Sequence, residues 1–275
     1  MQLVRFFKNP SRFFLENRLN IFLEGVDSQL DEEESFAFDG LELYSLKEDL
    51  LEIILRGDDP TDFFPVARAR GILPPMRHGR LVFDKAVNDV AGFAEILREK
   101  IGGVSPLPAV DFEFELDGFV LNGRLDKIWP AGIINYRCAT MKAKDQISAW
   151  LEHLALNIAR PEGYPLETAL IMSNSSLSFK PPEDARSILK TLLGYYWKGL
   201  SEPLRFFPES SFAYARNLER RLDRANKAWE SDSDKYKGEN EDPVFRLCFG
   251  KDIPFDVEFE DISRAVLEPM IKHLI

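Results

Sequence analysis

The chain has 275 residues, 45% of them hydrophobic and 29% charged, with a formal net charge of −11. That is enough apolar material for a sizeable core, and no apolar run approaches the ~18–20 residues of a membrane span. Met1 to Phe7 lacks a secretory core, and two cysteines, Cys138 and Cys248, are too few for a zinc or iron–sulfur site of their own and read as free thiols in a reducing, cytoplasmic setting.

Asn9-Pro10 predicts a helix start, with Asn9 as cap and Pro10 at the first helical position. That helix runs to about Asn20 and buries Phe14 and Leu15 with Phe22. Ser45 is expected to cap a second helix through Leu55, where Leu46, Leu50, Ile53 and Ile54 follow helical spacing. Asp59-Pro60 opens a short third helix ending near Gly71. After Pro74-Pro75, a long helix is predicted from Leu81 to Ile101, stopped by Gly102-Gly103. The region 1–105 thus reads as a helical N-terminal part.

The period then changes. Val110 to Leu116 alternates apolar and acidic residues as a half-buried strand does, and Asp117-Gly118 is a hairpin signal. Phe119 to Trp129 is read as one return strand and Ile133 to Cys138 as a central strand. Lys142 to Ile158 is a helix with Ile147, Trp150, Leu151, Leu154 and Ile158 on one side. Thr168 to Met172 is a buried strand, with Leu177 to Lys180 pairing across Asn174. Pro182 opens a helix through Leu200, and a charged, mostly helical third follows from Phe207. Residues 106–275 therefore read as an α/β (α+β) core with a mixed central sheet and a helical C-terminal extension, packed with 1–105 as one unit.

Four positions carry the chemistry: Asp126 late on the return strand, Asn135 and Arg137 two apart on the next strand, and Gln146 in the first turn of the following helix. Two residues apart on a strand means one shared face. The pattern resembles the site of restriction-endonuclease-like, PD-(D/E)XK nucleases, in which an Asp, a second acid, a Lys and a Gln occupy these places. Asn135 stands for the acid and Arg137 for the Lys. Magnesium prefers anionic oxygen ligands, and a guanidinium cannot shift its pKa as a lysine can. The reading is a vestigial site without a metal, in which Asp126 and Arg137 form a salt bridge. In the bland reading, Asp126 is a strand-end acid and Gln146 an ordinary helix residue.

The start from Arg5 to Phe14, with Phe6-x-x-Asn9-Pro10-x-x-Phe13-Phe14, resembles the opening helix of the RecB-type nuclease branch. Within it, the chain resembles the C-terminal domain of RecC, the gamma subunit of exodeoxyribonuclease V. The resemblance rests on Leu3 to Leu19, Phe38 to Leu46, Arg70-Gly71-Ile72-Leu73-Pro74 with Gly79, Trp150-Leu151-Glu152-His153-Leu154, and Asp242-Pro243 with the closing helix near Pro269. It implies a non-catalytic scaffold domain in a helicase–nuclease that acts in double-strand-break repair by recombination. The implied partners are RecB-like and RecD-like subunits and forked or double-stranded DNA ends, with Mg²⁺ and ATP used by those subunits and no cofactor or membrane contact in this domain. RecC subunits are far longer, so the chain is expected to be a C-terminal fragment.

An acidic chain needs a local basic patch to meet DNA. The candidates are Arg5, Lys8 and Arg12; Lys142 and Lys144; and a basic helix carrying Arg216, Arg220, Arg221 and Arg224. Tyr195-Tyr196-Trp197-Lys198 offers rings for stacking bases, although helical spacing favours core packing. His78 is read as an exposed residue ahead of a helix, and His153 as a satisfied polar partner. The acidic runs Asp31 to Glu34, Glu239 to Asp242 and Asp256 to Asp261 are read as solvated loops. Two other readings remain: an active nuclease in which Glu113 or Glu115 replaces the missing acid, and a stand-alone protein-interaction module. An AddB-type nuclease is disfavoured, because its nuclease region holds a cluster on more cysteines than are present.

Overall fold

Asn9 caps its helix as the Asn-Pro pair requires: its side chain accepts the Arg12 backbone N–H at 2.9 Å. A computed structural model describes residues 2–23, 40–230, 238–250 and 252–275 of the chain. Helix α2 (Pro10–Arg18) ends two residues earlier than expected, and a short α1 (Gln2–Lys8) precedes it. Phe14 and Leu15 are buried, but Phe22 is 59% exposed rather than packed with them.

The second helix, α3 (Gly40–Arg56), begins five residues before Ser45, so Ser45 sits inside a helix and caps nothing. A 3₁₀ turn at Pro60–Phe63 leads into α4 (Phe64–Ala69), and α5 (Met76–Ile101) starts directly after Pro75. His78 therefore lies in the first turn of α5, not ahead of it, and is exposed. The left-handed Gly102 closes α5 at φ 70°. Phe38, Asp39 and the acidic run 31–34 lie outside the described residues.

Strands β1 (Val110–Leu116) and β2 (Phe119–Leu125) pair antiparallel around Asp117-Gly118, where both residues take positive φ as a type I′ turn demands. The return strand does not continue to Trp129. It breaks at Asp126-Lys127, where Lys127 has φ 53°, and restarts as β3 (Ile128–Trp129) in a different sheet. That second sheet runs β3, β4 (Gly132–Arg137), β5 (Thr168–Met172), β6 (Ser176–Phe179). Only β4 and β5 are parallel, and the crossover between them is α6 (Ala143–Ala159). The sheet is mixed, as expected, and the hairpin is a separate two-stranded layer.

Both edges of the four-stranded sheet are covered. The Leu107 N–H donates to Ile128 O at 2.6 Å on the β3 side. On the β6 side Leu274 bridges Phe179, and the Ile275 N–H donates to Ser178 O. One face of the sheet, through Ile134, Tyr136 and Ile171, packs on α3 and α5. The other, through Ile133, Leu170 and Met172, packs on α6 and the elements around it.

The remaining helices are α7 (Ala185–Gly199), α8 (Pro208–Arg216), α9 (Arg221–Glu230), α10 (Pro243–Phe249) and α11 (Val257–Lys272). The expected basic helix from Arg216 to Arg224 is two helices joined by a turn. Tyr196 packs edge-on against Phe6, Phe13 and Phe119, so it belongs to the core, while Trp197 is 64% exposed. Cys138 and Cys248 are free thiols. Among the described residues no helix is long and apolar enough to cross a membrane.

Candidate functional site

Strand β4 presents Asn135 and Arg137 on the face that meets α6, since Ile133 of the same set is buried there and Ile134 and Tyr136 point the other way. Both side chains reach the helix. The Asn135 amide donates to Glu152 Oε2 at 2.7 Å. The Arg137 guanidinium donates to Asp145 Oδ2 at 3.0 Å, and the pair is largely withdrawn from solvent, with 29% and 10% of the side-chain surface exposed. The same Asp145 oxygen accepts the Lys142 N–H at 3.0 Å, which caps the start of α6. Two strand positions thus engage one helix two turns apart.

Asp126 does not pair with Arg137. It is exposed in the break between β2 and β3, and among the described residues it makes no ion pair within 4.0 Å. It lies near Glu152 instead. Burial pushes the Glu152 carboxyl above the usual range, the Asn135 hydrogen bond opposes this, the Asp126 charge raises it further, and Lys127 and Lys8 lower it. Gln146 is buried in the first turn of α6, but Asp145 beside it is the residue that meets Arg137. Arg137 also lies over the Tyr44 ring at 5.6 Å. The carboxyl of Glu48, one helical turn on from Tyr44, is raised chiefly by burial.

Magnesium does not fit this donor set. Asn135 offers only a neutral amide oxygen where a carboxylate is preferred, its nitrogen holds the neighbouring Glu152, and the place a lysine would hold carries a fixed cation paired with Asp145. Among the described residues no group of three or more His, Cys, Asp or Glu side chains is arranged to hold a metal ion. Glu113 and Glu115 cannot supply the missing acid. They are exposed on the hairpin, on the face opposite Phe112, which packs towards α6.

The basic candidates are scattered. Arg5 pairs with Glu16, Arg220 with Asp223, and Arg221 with Glu268 while lying over Tyr214. Arg216 ends α8 and stacks on Phe212; Arg224 is in α9. Lys142 and Lys144 flank the start of α6, where burial lowers the Lys144 pKa. Arg12 is in α2 and Lys8 closes α1. An open depression beside α9 mixes Arg220 and Arg221 with Glu219, Asp223 and Glu260, which gives no consistent sign for phosphate.

Sequence reasoning missed the acids that secure this region. Asp145 carries no motif, and Glu152 entered only as one residue of the Trp150-to-Leu154 segment with no role assigned; their spacing on α6 becomes informative only when β4 is laid against the helix. Glu239 is not in a solvated loop. Its carboxylate accepts the N–H groups of Glu209 at 3.0 Å and Ser210 at 2.7 Å, at the start of α8, and burial raises it to about 7. Glu209 in turn accepts the Ala143 N–H at 3.0 Å at the start of α6. Asp242 and Asp256 cap α10 and α11. His153 is held by Thr168 and the Lys180 carbonyl, and burial lowers it to about 4.

The family model of the RecC C-terminal domain matches residues 1–219. The RecBCD enzyme subunit RecC of Escherichia coli (strain K12) is 27% identical over 217 residues, covering 78% of this chain and 19% of that protein. The Haemophilus influenzae subunit is 27% identical over 187 residues, covering 66% and 16%. That of Mycobacterium tuberculosis (strain ATCC 25618 / H37Rv) is 25% identical over 268 residues, covering 93% and 24%. The chain spans about a fifth of the length of these curated relatives.

Proposed function

The chain belongs to the family of RecC C-terminal domains, and from that membership we propose that it is a non-catalytic, nuclease-like scaffold domain of a RecBCD-type helicase–nuclease. Its role is to organise subunit contacts and DNA strand separation during recombinational repair of double-strand breaks. Its partners are RecB-like and RecD-like subunits and forked or double-stranded DNA ends, and the Mg²⁺ and ATP of the complex are used by those subunits.

One observation carries the non-catalytic part. The two strand positions that a restriction-endonuclease-like enzyme would commit to metal and water are committed here to helix α6, Asn135 on Glu152 and Arg137 on Asp145. Asp126 and Glu152 without a third hard ligand, and with Arg137 tied to Asp145 where a lysine would stand, do not assemble the metal-bound water such hydrolysis needs. The helical N-terminal part and the sheet share one core through Ile134, Tyr136 and Ile171, which supports treating residues 1–105 and 106–275 as one unit.

The test is cleavage of single- and double-stranded DNA with Mg²⁺ or Mn²⁺. The wild-type chain is run beside Asp126→Ala and beside Asn135→Asp with Arg137→Lys. No cleavage by the wild type is the expected result. Metal-dependent cleavage that vanishes with Asp126→Ala would overturn the scaffold reading.

A further inference from the structure

The hairpin differs from the sheet beneath it. Both edges of the four-stranded sheet are paired with neighbouring chain, at Leu107 and at Leu274-Ile275. Among the described residues no backbone hydrogen bond joins 110–125 to anything but the hairpin's own two strands. In a two-residue type I′ hairpin the pair flanking the turn, Leu116 and Phe119, is hydrogen-bonded, and bonded and non-bonded pairs then alternate. The outward N–H and C=O groups of β1 therefore belong to Asp111, Glu113 and Glu115. The same three side chains are exposed, while Phe112 is buried.

An open, regular seven-residue edge is a template for another strand. Natural edges are blunted by a bulge, a proline, a covering loop or charged side chains; β1 has an unbroken one-to-one register and no proline, and its only such device is a row of acids, which discourages all but a cationic partner. Its acids select the partner. Asp111 is 3.7 Å from Arg124, and Asp117 in the turn is paired with Lys190. Glu113 and Glu115 have no ion pair among the described residues. A second copy adding its β1 antiparallel would set like charges opposite one another, which disfavours self-pairing. Nucleic acid is repelled by the same stripe. On the β2 edge the corresponding residues, Val120, Asn122 and Arg124, carry no such row.

We propose that the β1 edge is an interaction surface that receives an extended polypeptide segment of alternating cationic and apolar residues by strand addition. The cationic side chains lie beside Asp111, Glu113 and Glu115, and the apolar ones continue the face of Phe112 and Phe114. The inference does not depend on the DNA role of the domain.

The test uses a labelled, end-blocked peptide of about nine alternating Lys and Val residues, long enough to span the strand. It is compared with a block-sequence peptide of the same composition and with forms N-methylated at every second amide in either register. The chain is wild type, Glu113→Pro, or Glu113→Lys with Glu115→Lys. Proline at 113 deletes one outward donor and no ladder bond, and thermal unfolding of each variant shows whether it folds. The expected result is salt-sensitive binding of the alternating peptide. It weakens about tenfold or more with Glu113→Pro, with the double lysine variant and with one of the two methylated forms. Absence of binding to the wild type overturns the proposal. So does equal binding of the block peptide or of both methylated forms, which would indicate charge attraction without strand pairing. If Glu113→Pro unfolds, the methylated peptides and the lysine variant decide alone.

Discussion

The Asn135 amide donates to the Glu152 carboxylate across 2.7 Å. This hydrogen bond makes asparagine the fitting residue at that point of β4. The acid opposite is largely buried, and burial and the Asp126 charge both disfavour its ionised form. An amide donor supplies what a second carboxylate would remove.

Asn135→Asp should therefore destabilise the fold. The variant sets a carboxyl against Glu152 where a donor stood, leaving an unmade hydrogen bond or a like-charge contact, worth about 1–3 kcal/mol. Urea unfolding at pH 7 measures the loss, and it should shrink as the pH is lowered and the pair takes up a proton. A variant as stable as the wild type at pH 7 contradicts this account.

Arg137→Ala removes the ion pair with Asp145 and the contact with Tyr44, at a cost of about 1–3 kcal/mol. Asp145 keeps the Lys142 N–H, which limits the damage. Arg137→Lys should recover only part of the loss, because an ammonium cannot both reach the acid and cover the ring. Chemical denaturation of the three proteins orders them wild type, lysine, alanine.

Glu239 and His153 pull stability in opposite directions with pH. A carboxyl raised from 4.5 to about 7 in the fold holds its proton longer than in the unfolded chain. It stabilises most at low pH, and that contribution is lost as pH rises through about 4.5 to 7. A histidine lowered from 6.5 to about 4 stays neutral when the unfolded chain protonates, so its contribution is lost as pH falls through that range. Each effect is on the order of 3 kcal/mol at its limit. Glu239→Gln removes only the first. Unfolding midpoints between pH 4.5 and 6.5 should rise with pH more steeply in the variant than in the wild type, and parallel curves would refute the Glu239 assignment.

Gly132→Ala should be among the most damaging small substitutions. Gly132 has φ 128°, and a Cβ there would stand 2.5 Å from the Glu167 carbonyl oxygen. The loss should exceed about 2 kcal/mol, because neither the backbone angle nor the facing carbonyl can give way cheaply. Gly57→Ala meets nothing within 4 Å and carries only its positive φ, so it is the matched control in a thermal melt.

DNA binding by the chain alone should be weak, above micromolar at physiological salt, and should fall steeply as salt rises. The net charge is −11, and Arg5, Arg220 and Arg221 are already paired with acids. Sub-micromolar affinity for a forked duplex would show that the scattered cations act as one surface.

What the sequence made legible was local. The Asn9 cap, the Gly102 stop and the Asp117-Gly118 turn are each set by one or two residues, and each was placed correctly. The return strand was read too long because a left-handed lysine carries no signal in sequence, and Lys127 breaks it. The seven-residue α1 went unseen because its burial depends on α6 and α7 beneath it. Asp145, Glu152 and Glu239 look like surface acids until the chain folds back, since their partners lie 8, 17 and about 30 residues away.

The two carboxylate caps at Glu239 and Glu209 join parts of the chain that the order of residues keeps far apart. Glu239 grips the start of α8, and Glu209, on that same first turn, grips the start of α6. The two grips form a tie rod of two links from the 238–241 segment to the helix that holds Asn135 and Arg137. Each link satisfies backbone N–H groups that a helix start leaves without an internal partner, so the same two acids that join these segments also complete the first turns of α8 and α6.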